Sequence, residues 1–242
     1  MTNERFRSSD FQIDLIRTRG PDHGSRIYRS IMTCVDRQHF ARKRLHDLKQ
    51  VLQDNVGPHL DDWLITGNLD SAVMWQIRLL VNESVHHLHS AADPLAAAIY
   101  WFSVSRSSQK IRDRDLSLFK VRQCQAVASK YLSALNEIAT HSAHRYLAEL
   151  NNRSKHAHLV REAVPMLLES SPTFTAHDVV LFESFEKPNQ YQNASLGLVR
   201  QHFSTTPIVP FLDAESLRFA TLFNQLVGLL QDDLNAELAK AA

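Results

Sequence analysis

The densest chemistry in the chain lies in Asn151-Asn152-Arg153-Ser154-Lys155-His156-Ala157-His158. This string joins a permanently charged guanidinium to an ammonium and two imidazoles. Such a set suits RNA cleavage without metal. The ribose 2′-OH attacks its own phosphodiester, and a histidine near its ordinary pKa takes or delivers the proton. The arginine neutralises charge on the phosphorane-like transition state. One histidine per chain suffices if two chains face each other and supply both acid and base. On a regular helix His156 shares a face with Arg153, while His158 lies about 140° away. An irregular helix start lets both imidazoles converge on the guanidinium. A basic, His-rich turn is also a common solvated surface, and Lys155 and His156 suit the C-terminal end of a preceding helix.

A second constellation is Glu83, His86, His89 and Asp93. At about 100° per residue these four, with Asn82, fall within roughly a 120° arc. Leu80, Val81, Val85, Leu88, Ala92 and Leu95 lie roughly opposite. Helical bundles build metal sites from Glu-x-x-His on inward-facing stripes. A polar stripe opposite an apolar one is equally the solvent face of an amphipathic helix. No second helix shows a matching Glu-x-x-His pair, and Asp93 before Pro94 reads as a helix N-cap. No metal or cofactor is expected, and a metal-binding bundle on these four residues stands as an alternative.

The elements that must position these residues read as helical. Gly and Pro together number 14 of 242 residues, about half their average usage, which argues against a turn-rich sandwich or barrel. Residues 1–26 mix charges with Gly20, Pro21 and Gly24 and read as an arm, with a short element at Phe11–Ile16. Helical spacing runs from Ile27 to Asn55 and stops at Gly57-Pro58. Asp61 to Gly67 reads as a short element, and Asp70 or Ser71 caps the next helix. Leu95–Val104 reads as core, and Ser103 to Ser108 as a loop. Asp115 to Leu150 predicts one long helix, resumed over 153–169. Residues 170–212 hold four of the eight prolines, with a fifth at Pro165 just before. There Val179-Val180-Leu181-Phe182 reads as a strand that Ile208-Val209 could pair with. Residues 213–240, capped by Asp213, read as a final amphipathic helix. The expectation is an all-α, up-and-down helical bundle: an arm over 1–26, then one domain over 27–242 with an irregular or β-hairpin insertion near 170–212.

With 27 Lys+Arg against 26 Asp+Glu, net charge is +1, so no global field draws the chain to nucleic acid. Any RNA contact needs a local patch; Arg106, Lys110, Arg112 and Arg114 are the nearest basic material. Cys34 and Cys124 are the only cysteines and form no CxxC, which excludes a disulfide framework and a Cys-rich zinc site. The polar N-terminal stretch is unlike a signal peptide, and the longest apolar run, Leu95 to Phe102, is too short for a bilayer. A soluble cytoplasmic protein is expected.

Arg153-Ser154-Lys155-His156-Ala157-His158 matches Arg-x4-His, the hallmark of the HEPN superfamily (higher eukaryotes and prokaryotes nucleotide-binding), and the chain resembles that family. The resemblance implies a small bundle of four or five helices. It also implies a metal-independent RNase of toxin–antitoxin or phage-defence type, dimeric, with the motifs of both chains at the interface. It assigns catalysis to Arg153 and His158. Ser154 departs from the Asn, Asp or His usual after the arginine. A second resemblance, to a group of bacterial helical proteins of no established activity, rests on Val85–Asp93 followed by Leu150–His156. It singles out His86, Asp93, Lys155 and His156. Here His89 stands where that group has Arg, and Pro94 where it has His. The expected site is therefore catalytic Arg153 with His158 or His156, and substrate-binding Lys155, Asn152, His86 and Asp93. The expected partners are RNA, a second copy, and an antitoxin or defence protein. A non-catalytic helical module that binds protein or nucleotide is the alternative of another class.

Overall fold

Apolar side chains recur three and four residues apart from Ile27 to Leu52, and Ile27, Ile31, Cys34, Leu45, Leu48 and Leu52 are all buried. That stripe belongs to α2 (Pro21–Asn55), which begins at Pro21, a residue whose fixed φ suits a first turn. The computed structural model describes residues 9–66, 68–104, 111–154, 160–162, 175–188, 200–204 and 206–241. Among these the chain is all-α, with a minor β component. Its helices are α1 (Ser9–Arg19), α2, α3 (Leu60–Thr66), α4 (Ser71–Ser90), α5 (Ala92–Ser103), α6 (Leu118–Val121), α7 (Ser129–Thr140), α8 (Ser142–Arg153) and α9 (Ile208–Ala241).

The stretch read as an arm is helical over its described part, and α1 buries Phe11 and Leu15. Gly20, at φ 80°, makes the turn between α1 and α2, a conformation glycine adopts at no steric cost. Gly24 lets the two helices touch: a Cβ there would lie 2.6 Å from the Leu15 carbonyl oxygen and 2.7 Å from Ile16 Cα. Gly24→Ala is therefore expected to cost about 1–3 kcal/mol through forced separation of backbones. A urea titration checks this, and an unchanged midpoint would refute the close contact.

The long helix expected from Asp115 to Leu150 is three helices. Ser117 caps α6 by accepting from the Lys120 N–H. The backbone is extended at Ala128 and at His141. His141 Nδ1 accepts from the Ala143 N–H at 3.3 Å, a capping role in which the imidazole stands in for Ser or Asp. Asp70 does cap α4, its Oδ1 accepting from the N–H groups of Ala72 and Val73. Asp93 is not the N-cap of α5. That position is Ala91, itself helical and bonded back to His87, so α4 runs almost directly into α5. Nor does Asp213 cap α9, which starts at Ile208 with Pro210 in its first turn, where a proline forfeits no hydrogen bond.

The described strands are β1 (Val160–Glu162), β2 (Val180–Phe182), β3 (Phe185–Pro188), β4 (Arg200–Phe203) and β5 (Thr206–Pro207). One antiparallel sheet has the order β1-β2-β5, with Val160 opposite Phe182 and Phe182 opposite Thr206. The other pairs β3 with β4, Phe185 opposite Phe203. The helix expected to resume over 153–169 is thus a strand over Val160–Glu162. The expected partner of β2, Ile208-Val209, belongs to α9, and Thr206–Pro207 takes its place.

The chain divides into two compact units. One comprises the described residues of Met1–Ala41, His87–Arg145 and Glu215–Ala242; the other those of Arg42–His86 and Tyr146–Ala214. The first holds helices and no strand among its described residues, and its core includes Tyr100, Tyr131, Ile99 and Phe219. Tyr131, buried, donates its phenol to Asp233 at 2.6 Å; burial first, then that carboxylate, raises its pKa. The second unit holds both sheets. Tyr146, Phe182 and Phe211 meet edge to face there, centroids 5.1–5.9 Å apart, joining α8, β2 and α9. No helix is long and apolar enough to cross a membrane among the described residues.

Candidate functional site

In the second unit α8 carries the start of the Arg-x4-His motif. Tyr146, Leu147 and Leu150 bury its apolar face. Asn151 is 8% exposed, Asn152 exposed and Arg153 half-buried. Arg153 is the last residue of the helix. The final turn closes as Ser154 donates its N–H to Leu150 at 2.9 Å and its hydroxyl to the Asn151 carbonyl at 2.8 Å. The guanidinium therefore stands at a helix C-terminus, where a cation is favoured. Lys155, His156 and His158 lie outside the described residues.

Asn151 reaches across to α4: its Oδ1 accepts from Nδ1 of His86 at 3.3 Å. A neutral imidazole that donates from Nδ1 carries its lone pair on Nε2. His86 is exposed. Two polar segments 65 residues apart in sequence thus meet in one unit, and Arg153 is two residues from the point of contact. Three residues before His86, Glu83 pairs with Arg44 Nε at 2.6 Å, which places a second guanidinium in the same unit.

The other two residues of the expected stripe, His89 on α4 and Asp93 on α5, belong to the first unit. The Asp93 carboxylate accepts from the Leu118 N–H at 2.8 Å and so anchors the start of α6. His89 stacks on His144, centroids 5.5 Å apart and planes within 17°. Among the described residues no three His, Cys, Asp or Glu side chains are grouped to hold a metal ion. Cys34 is fully buried, and burial pushes its thiol up to about 12 against the opposing effects of Gln38 and Arg37. It supplies no thiolate near neutral pH.

The first unit also contains a buried polar cluster. Glu215, 2% exposed, accepts from Arg218 through both oxygens, one bond being 2.6 Å. Arg218 Nη1 and His144 Nδ1 are buried without a hydrogen-bond partner among the described residues. Burial, then the charges of His89, Arg218 and His141, lowers the His144 pKa to about 3. Glu215 and Arg218 escaped the sequence reading. Their signal was an i, i+3 acid–base pair on α9, which looks like any solvated face.

His144 makes a pH prediction. The folded protein binds this proton less tightly than the unfolded chain, whose histidine titrates near 6.5. The stabilisation is complete above about pH 6.5 and declines as pH falls from there towards 3, by about 1.4 kcal/mol per unit at the steepest. Between pH 6.5 and 4.5 the loss is about 2–3 kcal/mol. His144→Leu is expected to remove most of that slope from urea midpoints measured over this interval; an equally steep variant would refute the assignment.

No protein-family model, curated protein or solved structure matches this chain.

Proposed function

We propose that the chain is a HEPN-like, metal-independent endoribonuclease. The observation that carries this reading is the His86–Asn151 contact, which joins the α4 polar stripe to the turn that bears Arg153. In the proposed reaction the 2′-OH attacks the adjacent phosphorus and the 5′-oxygen leaves. A base takes the 2′ proton and an acid returns a proton to the 5′-oxygen. The products are a 2′,3′-cyclic phosphate and a 5′-OH end. Arg153 offsets charge on the phosphorane, and His158 or His156 moves the protons. His86, Asn152 and Lys155 hold the RNA, and a second copy supplies the complementary imidazole. A toxin–antitoxin or phage-defence setting follows from the same resemblance. Incubation of the purified chain with end-labelled single-stranded RNA in EDTA tests the proposal: shortening of the RNA supports it, and intact RNA at high protein concentration removes it.

One observation favours a binding module instead. Trp75 and Leu79, one turn apart on α4, are 66% and 42% exposed, a pair suited to docking a partner protein. That reading expects a stable complex in pull-down, released by Trp75→Ser, with RNA left intact.

A further inference from the structure

Within the first unit, the N-terminal half of α2 presents Arg26, Arg29, Ser30, Thr33 and Arg37 on one face, an arc of about 100°. This face lines a cleft of about 530 Å³, whose opposite wall includes Asp93, Pro94, Ala97 and Trp101 of α5. The volume lies in the range of small-molecule sites.

The charges of the cleft do not cancel locally. Asp113 pairs with Arg26 at 2.5 Å, and that guanidinium lies 4.9 Å over the Trp101 ring. Asp93 keeps its charge while its Oδ1 accepts from the Leu118 N–H at 2.8 Å, so three guanidiniums face two carboxylates in the lining, with Arg29 and Arg37 the two that meet neither. Arg29 donates from Nε to the Ser25 carbonyl at 3.2 Å, and Arg37 donates to the Ser90 hydroxyl. Neither Arg29 nor Arg37 meets a carboxylate among the described residues. Each has one of its five N–H donors engaged in a described hydrogen bond, which leaves donors for an incoming anion.

Arg29 and Arg37 are eight residues apart, so their Cα atoms stand about 12 Å apart along the helix axis. Between them the cleft offers the Ser30 hydroxyl and the apolar surfaces of Pro94 and Ala97. From this spacing we infer that the α2–α5 cleft binds an elongated small molecule bearing a phosphate at each end, one held by Arg29 and the other by Arg37, with its carbon chain against Pro94 and Ala97. Phosphate suits these positions better than a single negative charge, because Arg29 is exposed and screening weakens each unit of charge at an open surface. The inference is independent of the ribonuclease proposal, which uses none of these residues.

Titration calorimetry of the full chain with inorganic phosphate, ethane-1,2-diol bisphosphate and hexane-1,6-diol bisphosphate tests it. The longest ligand, whose extended chain matches the span, is expected to bind about tenfold more tightly than the short one. Arg29→Gln and Arg37→Gln are each expected to weaken it about tenfold. Arg37→Lys keeps the charge but gives up the fork, and falls between Arg37→Gln and the unmodified chain. Lys240→Gln, exposed at the end of α9, leaves binding unchanged. Arg29 is exposed, so its substitution remains decisive if Arg37→Gln lowers the melting temperature. Equal affinity across the series, absence of saturable binding, or indifference to both glutamine substitutions would overturn the inference.

Discussion

Replacing Arg153 with alanine is expected to lower single-turnover RNA cleavage by about 100- to 1,000-fold, the loss typical when one preorganised charge is removed from a developing oxyanion. Arg153 sits at the very end of α8 and is half-buried, so a melting curve of the variant run beside the assay separates lost catalysis from lost fold. Arg153→Lys retains a charge without the planar fork that matches phosphate oxygens, and restores activity only in part. The two histidines are separated by the same assay. Loss of general acid–base catalysis costs about 100- to 10,000-fold. Whichever of His156→Ala and His158→Ala shows that loss identifies the working imidazole. Activity undiminished in Arg153→Ala and in both histidine variants would sink the residue assignment.

The second large effect concerns stability. Glu215→Ala is expected to destabilise the fold by about 2–4 kcal/mol, because it removes the forked partner of a half-buried guanidinium, 19% exposed, from the side where Glu215 itself is buried. For a chain of this size that is a fall in melting temperature of roughly 10 °C. Arg218 already carries one buried nitrogen without a hydrogen-bond partner among the described residues, so none of these residues stands ready as a spare acceptor. The double variant Glu215→Leu/Arg218→Met removes both charges and recovers most of the loss, as buried pairs replaced by apolar side chains of similar volume commonly do. A double variant as unstable as Glu215→Ala would show that the two side chains are not coupled.

Helical periodicity made much of the fold legible. The spacing of Ile27, Ile31, Leu45, Leu48 and Leu52 marked α2, and Asp70 marked the start of α4, because these signals are local. The failures share a physical cause. The apolar spacing from Leu118 to Leu150 continues across two breaks, since each short helix buries the same kind of stripe. The second break is capped by His141, a residue type that gives no capping signal. Val160–Glu162 is a strand because β2 pairs with it, and no local pattern encodes a partner 20 residues on. Asp93 and Asp213 looked like caps by type and spacing. The first instead serves a distant N–H, and the second pairs with Lys49 at 2.6 Å.

The candidate site was legible in part. His86 and the Asn151–Arg153 string were each visible as polar clusters, but the contact between them spans 65 residues and needs the folded chain. The stripe of Glu83, His86, His89 and Asp93 looked like one site because helical geometry aligns side chains. Each of the four has a different partner: Arg44, Asn151, His144 and the Leu118 N–H.

The most direct measurement uses two RNAs that differ only by a 2′-deoxy substitution at the mapped cleavage position, each incubated with the wild-type chain in EDTA. The all-ribose RNA is expected to be cleaved to 2′,3′-cyclic phosphate and 5′-OH ends, and the deoxy-substituted one to stay intact. Cleavage of both, or cleavage that appears only when a divalent metal is added back, would contradict the proposed reaction.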